Sequence, residues 1–185
     1  MSPFKLRLAA RLLRAGGVVA YPTEGVYGLG CDPLDGRAVE TVLRLKGRSR
    51  RKGLILIAAD FEQVAPFLAP LRDPQLKKRL ALDWPGAVTW VLPAGWAVPA
   101  WLTGGRDTLA VRVTAHAGAA ALCRAFGRAL VSTSANRSGG VPARDAFAVR
   151  RLFGEAVDMI LHGALGGLAG PTPIRDGTSG GLLRS

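Results

Sequence analysis

Five consecutive apolar residues, Leu54-Ile55-Leu56-Ile57-Ala58, constrain this chain more than any other stretch. A strand with one face in water alternates polar and apolar side chains. An unbroken apolar run of strand length needs cover on both faces. The chain must therefore supply helices for two sides of a sheet, and 185 residues suffice for one such domain.

The remaining pattern supplies those pieces. Phe4, Leu8 and Leu12, with Leu6 and Leu13, predict a first helix ending at Gly16-Gly17. Val18-Tyr21 reads as a short buried strand stopped by Pro22. Val39, Val42, Leu43 and Lys46 have helical spacing, with a stop near Gly47. Asp60 caps a predicted helix reaching Phe67-Leu68, and Pro74 opens another through Leu82. Strands are predicted at 88–92, 109–113, 129–132 and 159–161, with an edge strand near Ile174. Further helices fit Gly118–Phe126 and Ala143–Phe153. Helices and strands intermix without strict alternation, so the expected architecture is α/β: a mixed, twisted sheet flanked by helices. No composition shift marks a boundary, and a single domain over residues 1–185 is expected, with no C-terminal second domain.

Composition narrows the function classes. With 49% hydrophobic and 21% charged residues the chain is not globally disordered. No apolar run approaches the roughly 20 residues of a membrane span. Cys31 and Cys123 are too few for a disulfide scaffold or zinc site, which favours a cytoplasmic setting and small buried thiols. Lys and Arg outnumber Asp and Glu by 25 to 13, a net charge of +12 that favours phosphate-bearing partners. Twenty of those cations are Arg, in an Ala- and Gly-rich chain, and a coding bias that spreads Arg over solvated faces explains them equally well.

Familiar chemistries are missing. The chain has no GxxxxGK[ST], no GxSxG elbow, and glycines in the wrong order for GxGxxG at Gly25–Gly30. His116 and His162 lack Cys or carboxylate neighbours at ligand spacing. Four polar segments at strand ends remain. Pro22-Thr23-Glu24-Gly25 is either a structural turn or a site where backbone approaches a ligand. Lys46–Lys52 places five cations in seven positions, either a solvated run or a polyphosphate grip in which an extended backbone points Lys46 and Arg48 the same way. Ser132-Thr133-Ser134-Ala135-Asn136 either satisfies strand-end backbone groups or turns Ser134 and Asn136 to one ligand. Pro171–Asp176 is a rigid extended piece ending in a carboxylate. Arg112, on the buried phase of its strand, needs a partner or a ligand.

Taken together, "VVAYPTEGVYGLGCDP", "LKGRSRRKGLILIA", "WPGAVTWVLPA", "LAVRVTAH", "LVSTSANRSG" and "PTPIRD" resemble the YrdC/TsaC family of threonylcarbamoyl-AMP synthases across nearly the whole chain. The resemblance implies a YrdC-like domain with an open concave groove. It implies synthesis of threonylcarbamoyl-AMP and pyrophosphate from L-threonine, bicarbonate or CO2, and ATP with Mg²⁺. The product would serve threonylcarbamoyladenosine modification of tRNA through transfer proteins of the TsaB, TsaD and TsaE type. Lys46, Arg48, Ser134 and Asn136 match the family's core catalytic and nucleotide-binding positions. Thr23, Arg112 and Ser132 match the threonine and carbamate side, and Asp176 the nucleotide side. No membrane partner is implied. Two departures stand out: Ser49 follows K-x-R where many relatives have proline, and PTPIRD replaces P-S-T-[IV]-x-D. A second reading, an RNA-binding or ribosome-maturation factor contacting tRNA or double-stranded RNA, rests on the net charge of +12 and on the basic Lys46–Lys52 loop. Trp84, Trp90, Trp96 and Trp101 lie in contexts expected to be core or groove wall, not a base-stacking platform. A carbamoyl-transfer domain of the hydrogenase-maturation type would carry zinc-binding cysteines in a longer chain.

Overall fold

The apolar run becomes the centre of the sheet. In the computed structural model, which describes residues 1–184, Ile55–Ala58 is the strand β3. In chain order the other strands are β1 (Val19–Pro22), β2 (Tyr27–Gly30), β4 (Thr89–Pro93), β5 (Thr108–Val113), β6 (Leu130–Ser134), β7 (Met159–Ile160), β8 (Ile174–Asp176) and β9 (Leu182–Arg184). They form one sheet in the order β7-β1-β2-β6-β3-β5-β4-β8-β9. β3 pairs parallel with β5 and antiparallel with β6, so the sheet is mixed as expected.

Alternation along β3 divides the core. Leu56 and Ala58 enter one apolar cluster, Ile57 the other. Each fully buried Leu or Ile contributes about 1.5–3 kcal/mol, so both faces must be covered. The helices α2 (Gly36–Lys46), α3 (Phe61–Val64), α4 (Pro74–Asp83) and α7 (Ala146–Phe153) carry their buried apolar side chains into the first cluster. The helices α1 (Pro3–Arg14) and α6 (Ala117–Phe126) bring Ala9, Ala10 and Leu13 against Ala119, Leu122 and Phe126 in the second. The second layer rests on β1, β6 and β3. Side chains of β5 and β4 on that same phase, Arg112 and Thr89, are polar and outside the apolar cluster. That part of the sheet face is where the site forms.

Local chemistry sets the element ends. Ser2, Asp35, Asp60, Asp73 and Asp145 each accept a backbone N–H at a helix start. His116 caps α6 through Nδ1, which accepts from Ala119 N at 3.1 Å. The helix expected from Asp60 to Leu68 is interrupted. α3 stops at Val64 and a 3-10 turn spans Ala65–Phe67, because Pro66 has no N–H to give the helix. The last long helix starts at Ala146, since Ala143 hydrogen-bonds Ala135 and Tyr27 instead. Three elements were not anticipated: β2, the short α5 (Ala100–Thr103), and β9. Trp90 is buried as expected, whereas Trp96, expected in core or groove wall, is fully exposed. No described helix is long and apolar enough to cross a membrane.

Candidate active site

The Lys46–Lys52 segment is not extended at its start. Lys46 is the last residue of α2, and Gly47 adopts a left-handed conformation at φ 58°. Gly47 N donates to Arg44 O at 3.1 Å and Arg48 N to Leu43 O at 2.9 Å, the paired bonds of a Schellman stop. The reversal turns Arg48 back beside the helix end, so the two cations converge through a helix cap. Ser49 then holds φ at −61°, the value proline would enforce. Its Oγ accepts from Arg51 N at 3.3 Å and opens the 3-10 turn Arg50–Lys52. The serine departure therefore keeps the local backbone.

Lys46 is 2% exposed and reaches the turn after β6. Its Nζ donates to Ser134 O, to Asn136 O at 2.9 Å and to Asn136 Oδ1 at 3.2 Å. Ser134 Oγ donates to the same Oδ1 at 2.6 Å, and Asn136 Nδ2 donates to Arg137 O and Gly140 O, both at 2.8 Å. Every proton of the ammonium is used. Burial and the neighbouring Arg48 pull its pKa down to about 8. The four core residues expected from the sequence are thus brought together in two layers. Arg48 and Ser134 line the pocket, and Lys46 and Asn136 tie the turn behind it.

The pocket itself encloses about 80 Å³ between the Thr23 turn, β6, β5 and the segment before β8. Thr23, Arg112 and Ser132 all line it, as expected. Thr23 Oγ1 donates to Val26 O at 2.7 Å, which closes the turn while the residue also lines the pocket. With its proton spent, that oxygen can only accept. Arg112, 4% exposed, donates through Nη1 to Thr172 Oγ1 at 2.7 Å and Thr89 Oγ1 at 3.2 Å, and through Nη2 to Glu24 Oε2 at 3.2 Å. Thr172 thereby takes up a hydroxyl position within the altered PTPIRD motif.

Two features correct the sequence reading. Asp176 does not line the pocket; its Oδ1 accepts from Thr178 N, Ser179 N and Ser179 Oγ at 3.1, 2.7 and 2.9 Å. Those bonds, Ser179's first, hold its carboxyl below the usual range and close the β8–β9 turn. That turn delivers a residue the sequence did not single out, Arg184, which lines the pocket and donates from Nη2 to Thr172 O at 2.7 Å. A second cavity of about 320 Å³ adjoins the first, sharing Arg48, Leu54, Ile55 and Arg184. Burial, then the positive neighbour, lowers both guanidiniums: Arg184 acts on Arg48, and Arg112 on Arg184. Cations that depress one another form a site that a polyanion relieves. Arg48 is fixed from behind by Gly53 O, at 3.0 Å from Nη2.

A separate cavity of about 690 Å³ between Phe61, Leu68, Leu80, Trp84 and Pro85 is apolar and has Lys77 as its one charged wall residue among the described residues. Cys31 and Cys123 are fully buried, and burial pushes both thiols up, Cys123 to about 12. His116 Nε2 lies 3.0 Å from Ala164 O, so both histidine nitrogens serve packing.

Comparison with known proteins bears on the fold and the family. The Sua5–YciO–YrdC family model, described as telomere recombination, matches residues 11–185. The threonylcarbamoyl-AMP synthase of Halorhodospira halophila is 60% identical over 182 residues, covering 98% of this chain and 95% of that protein. Among solved structures, the H234A/Y235A form of Sua5 from P. abyssi superposes at a TM-score of 0.94 with 35% identity. It matches all of this chain, which spans 57% of the archaeal one. The same archaeal protein complexed with L-threonine gives a TM-score of 0.90 at 35% identity, over 95% of this chain and 52% of that one. Motifs, sequence identity and matched length leave one assignment: the chain belongs to the Sua5–YciO–YrdC family.

Proposed function

We propose that this chain joins L-threonine, bicarbonate or CO2, and ATP to give threonylcarbamoyl-AMP and pyrophosphate. The observation that carries the reading is one pocket with two chemistries. Arg48 and Arg184 line both the 80 Å³ pocket and the adjoining 320 Å³ cavity, whereas Thr23, Ser132 and Arg112 line the 80 Å³ pocket alone.

The threonine amine attacks the carbon of bicarbonate and hydroxide leaves with the amine's proton as water, or the amine adds to CO2 and releases that proton to solvent; either way it becomes a carbamate. A carbamate oxygen then attacks the α-phosphorus of ATP, and the α–β bridging oxygen leaves with pyrophosphate. Such a transfer needs positioned cations and donors more than a covalent nucleophile. Arg48 and Arg184 would hold the phosphates, each charge-assisted bond contributing about 1.5–3 kcal/mol. Arg112 would take the threonine carboxylate, and Thr23, an acceptor, a substrate N–H. Lys46 and Asn136 fix the turn that presents Ser134. The lining offers hydroxyls and no carboxylate, so Mg²⁺ would arrive with ATP, carried by its phosphates.

The product is an activated carbamate, and we read its destination as adenosine next to the tRNA anticodon, through transfer proteins of the TsaB, TsaD and TsaE type in the cytoplasm. The test is pyrophosphate release from ATP. It should require threonine and bicarbonate together; release that ignores threonine would refute the reading.

A further inference from the structure

Glu24 sits behind the pocket wall in an arrangement that simple core packing does not explain. Its side chain is 7% exposed and that of Arg112 5%. Glu24 Oε1 accepts from Thr114 Oγ1 at 2.5 Å, and Oε2 from Arg112 Nη2 at 3.2 Å. Its carbonyl also accepts from Leu168 N at 3.0 Å, so the residue is fixed at both ends. Arg112 Nε is the one buried side-chain polar atom without a partner among the described residues. The guanidinium is held through Nη1 and Nη2 with one nitrogen, Nε, unpartnered, in a residue that lines the pocket.

The three pocket arginines differ in one respect. Among the described residues, Arg48 and Arg184 are anchored by backbone carbonyls and form no ion pair, whereas Arg112 is matched by a carboxylate. A buried negative charge acts on a ligand in proportion to the ligand's own charge, and in a pocket screened from water that action is strong. Threonine is a zwitterion. Triphosphate and pyrophosphate carry three or four negative charges. Glu24 therefore disfavours polyphosphate at Arg112 far more than it disfavours threonine. From this geometry we infer that Glu24 is a specificity-determining residue: it keeps the amino-acid end of the pocket from being captured by phosphate, and leaves Arg48 and Arg184 as the phosphate end. The inference rests on the reading that Arg112 holds the threonine carboxylate.

Inorganic pyrophosphate is the probe. In the native enzyme it should compete with ATP and not with threonine. Glu24→Gln keeps the shape and removes the charge; pyrophosphate should then compete with threonine as well, its inhibition constant on that axis falling at least tenfold, or about 1.4 kcal/mol. Glu24→Asp draws the charge back by one methylene and should show the same change at about threefold, which keeps the test open if the glutamine variant does not fold. The double variant Glu24→Gln/Arg112→Ala should lose the new competition. Pyrophosphate that still competes only with ATP in the folded single variants overturns the inference, as does competition that survives loss of Arg112. If Arg112→Ala alone leaves the threonine KM unchanged, the assignment of Arg112 to threonine fails separately, whatever Glu24 does.

Discussion

Replacing Lys46 by Met separates the ion from the packing and tests the two-layer reading of the site. The methionine fills the same volume but removes three donors, to Ser134 O, Asn136 O and Asn136 Oδ1. Ser134 O retains Asn136 N at 2.9 Å and Oδ1 retains Ser134 Oγ at 2.6 Å, so Asn136 O alone loses its sole partner. Three charge-assisted bonds at about 1.5 kcal/mol each set the loss near 4–5 kcal/mol. Against this, the depression of Lys46 to about 8 corresponds to roughly 3 kcal/mol of burial and Arg48 repulsion that the variant no longer bears. The net destabilisation is about 1–2 kcal/mol, or a Tm lower by about 2–8 °C for a chain of this size. Turnover should fall at least a hundredfold, because the turn presenting Ser134 is no longer tied.

The same group fixes a pH signature. The folded pKa lies below the unfolded one, so between about 8 and 10.5 the unfolded chain holds a proton the folded chain has released. Stability contributed by this group therefore rises with pH across that window. Activity should move the other way, since a neutral amine has two protons for three acceptors. Melting curves of native and Lys46→Met protein between pH 7.5 and 10, with pyrophosphate release at each pH, measure both. Identical pH slopes of Tm in the two proteins, or a variant within threefold of native turnover, would refute the reasoning.

Other expectations are simpler. Arg184→Gln should raise the KM for ATP about tenfold while the threonine KM changes less than twofold, as steady-state kinetics with each substrate varied will show; equal changes would place Arg184 outside the phosphate end. Ser49→Pro should leave Tm within about 2 °C, because the loss of a weak cap and the gain from a stiffer unfolded chain nearly cancel at φ −61°. A large loss of stability there would mean the Ser49 cap matters more than its backbone angle. Cys31 and Cys123, buried with raised thiol pKa values, should resist alkylation in the native protein at pH 8 until it unfolds; mass spectrometry showing modification at a free-thiol rate would contradict their burial.

Much of this was legible in the sequence, for reasons that differ by residue. β3 announced itself because a strand covered on both faces has no polar phase to hide. β2 did not, because two of its four residues are glycines. A Cβ at Gly28 would come within 3.2 Å of Ser132 Oγ, and one at Gly30 within 2.7 Å of the Tyr21 ring. The strand's glycines permit close approach, which in the sequence looks like a turn. The convergence of Lys46 and Arg48 with the Ser134 turn was visible from the motifs, but its backbone cause, a helix stop, was not. Arg184 was hidden since only the pairing of β9 with β8 brings it to the pocket. Asp176 shows the converse: a motif position used for turn closure, whose service to the site is to aim its neighbour.

The pairing of β9 has an operational consequence. The strand lies at the sheet margin, joined only to β8, and its three residues are exposed. Margins of this kind fray before interiors do. Each fraying event withdraws Arg184 while the threonine side, built on β5 and β6 in the middle of the sheet, stays assembled. Warming the enzyme should thus weaken its hold on ATP well before its hold on threonine, making nucleotide affinity an early thermometer of the fold.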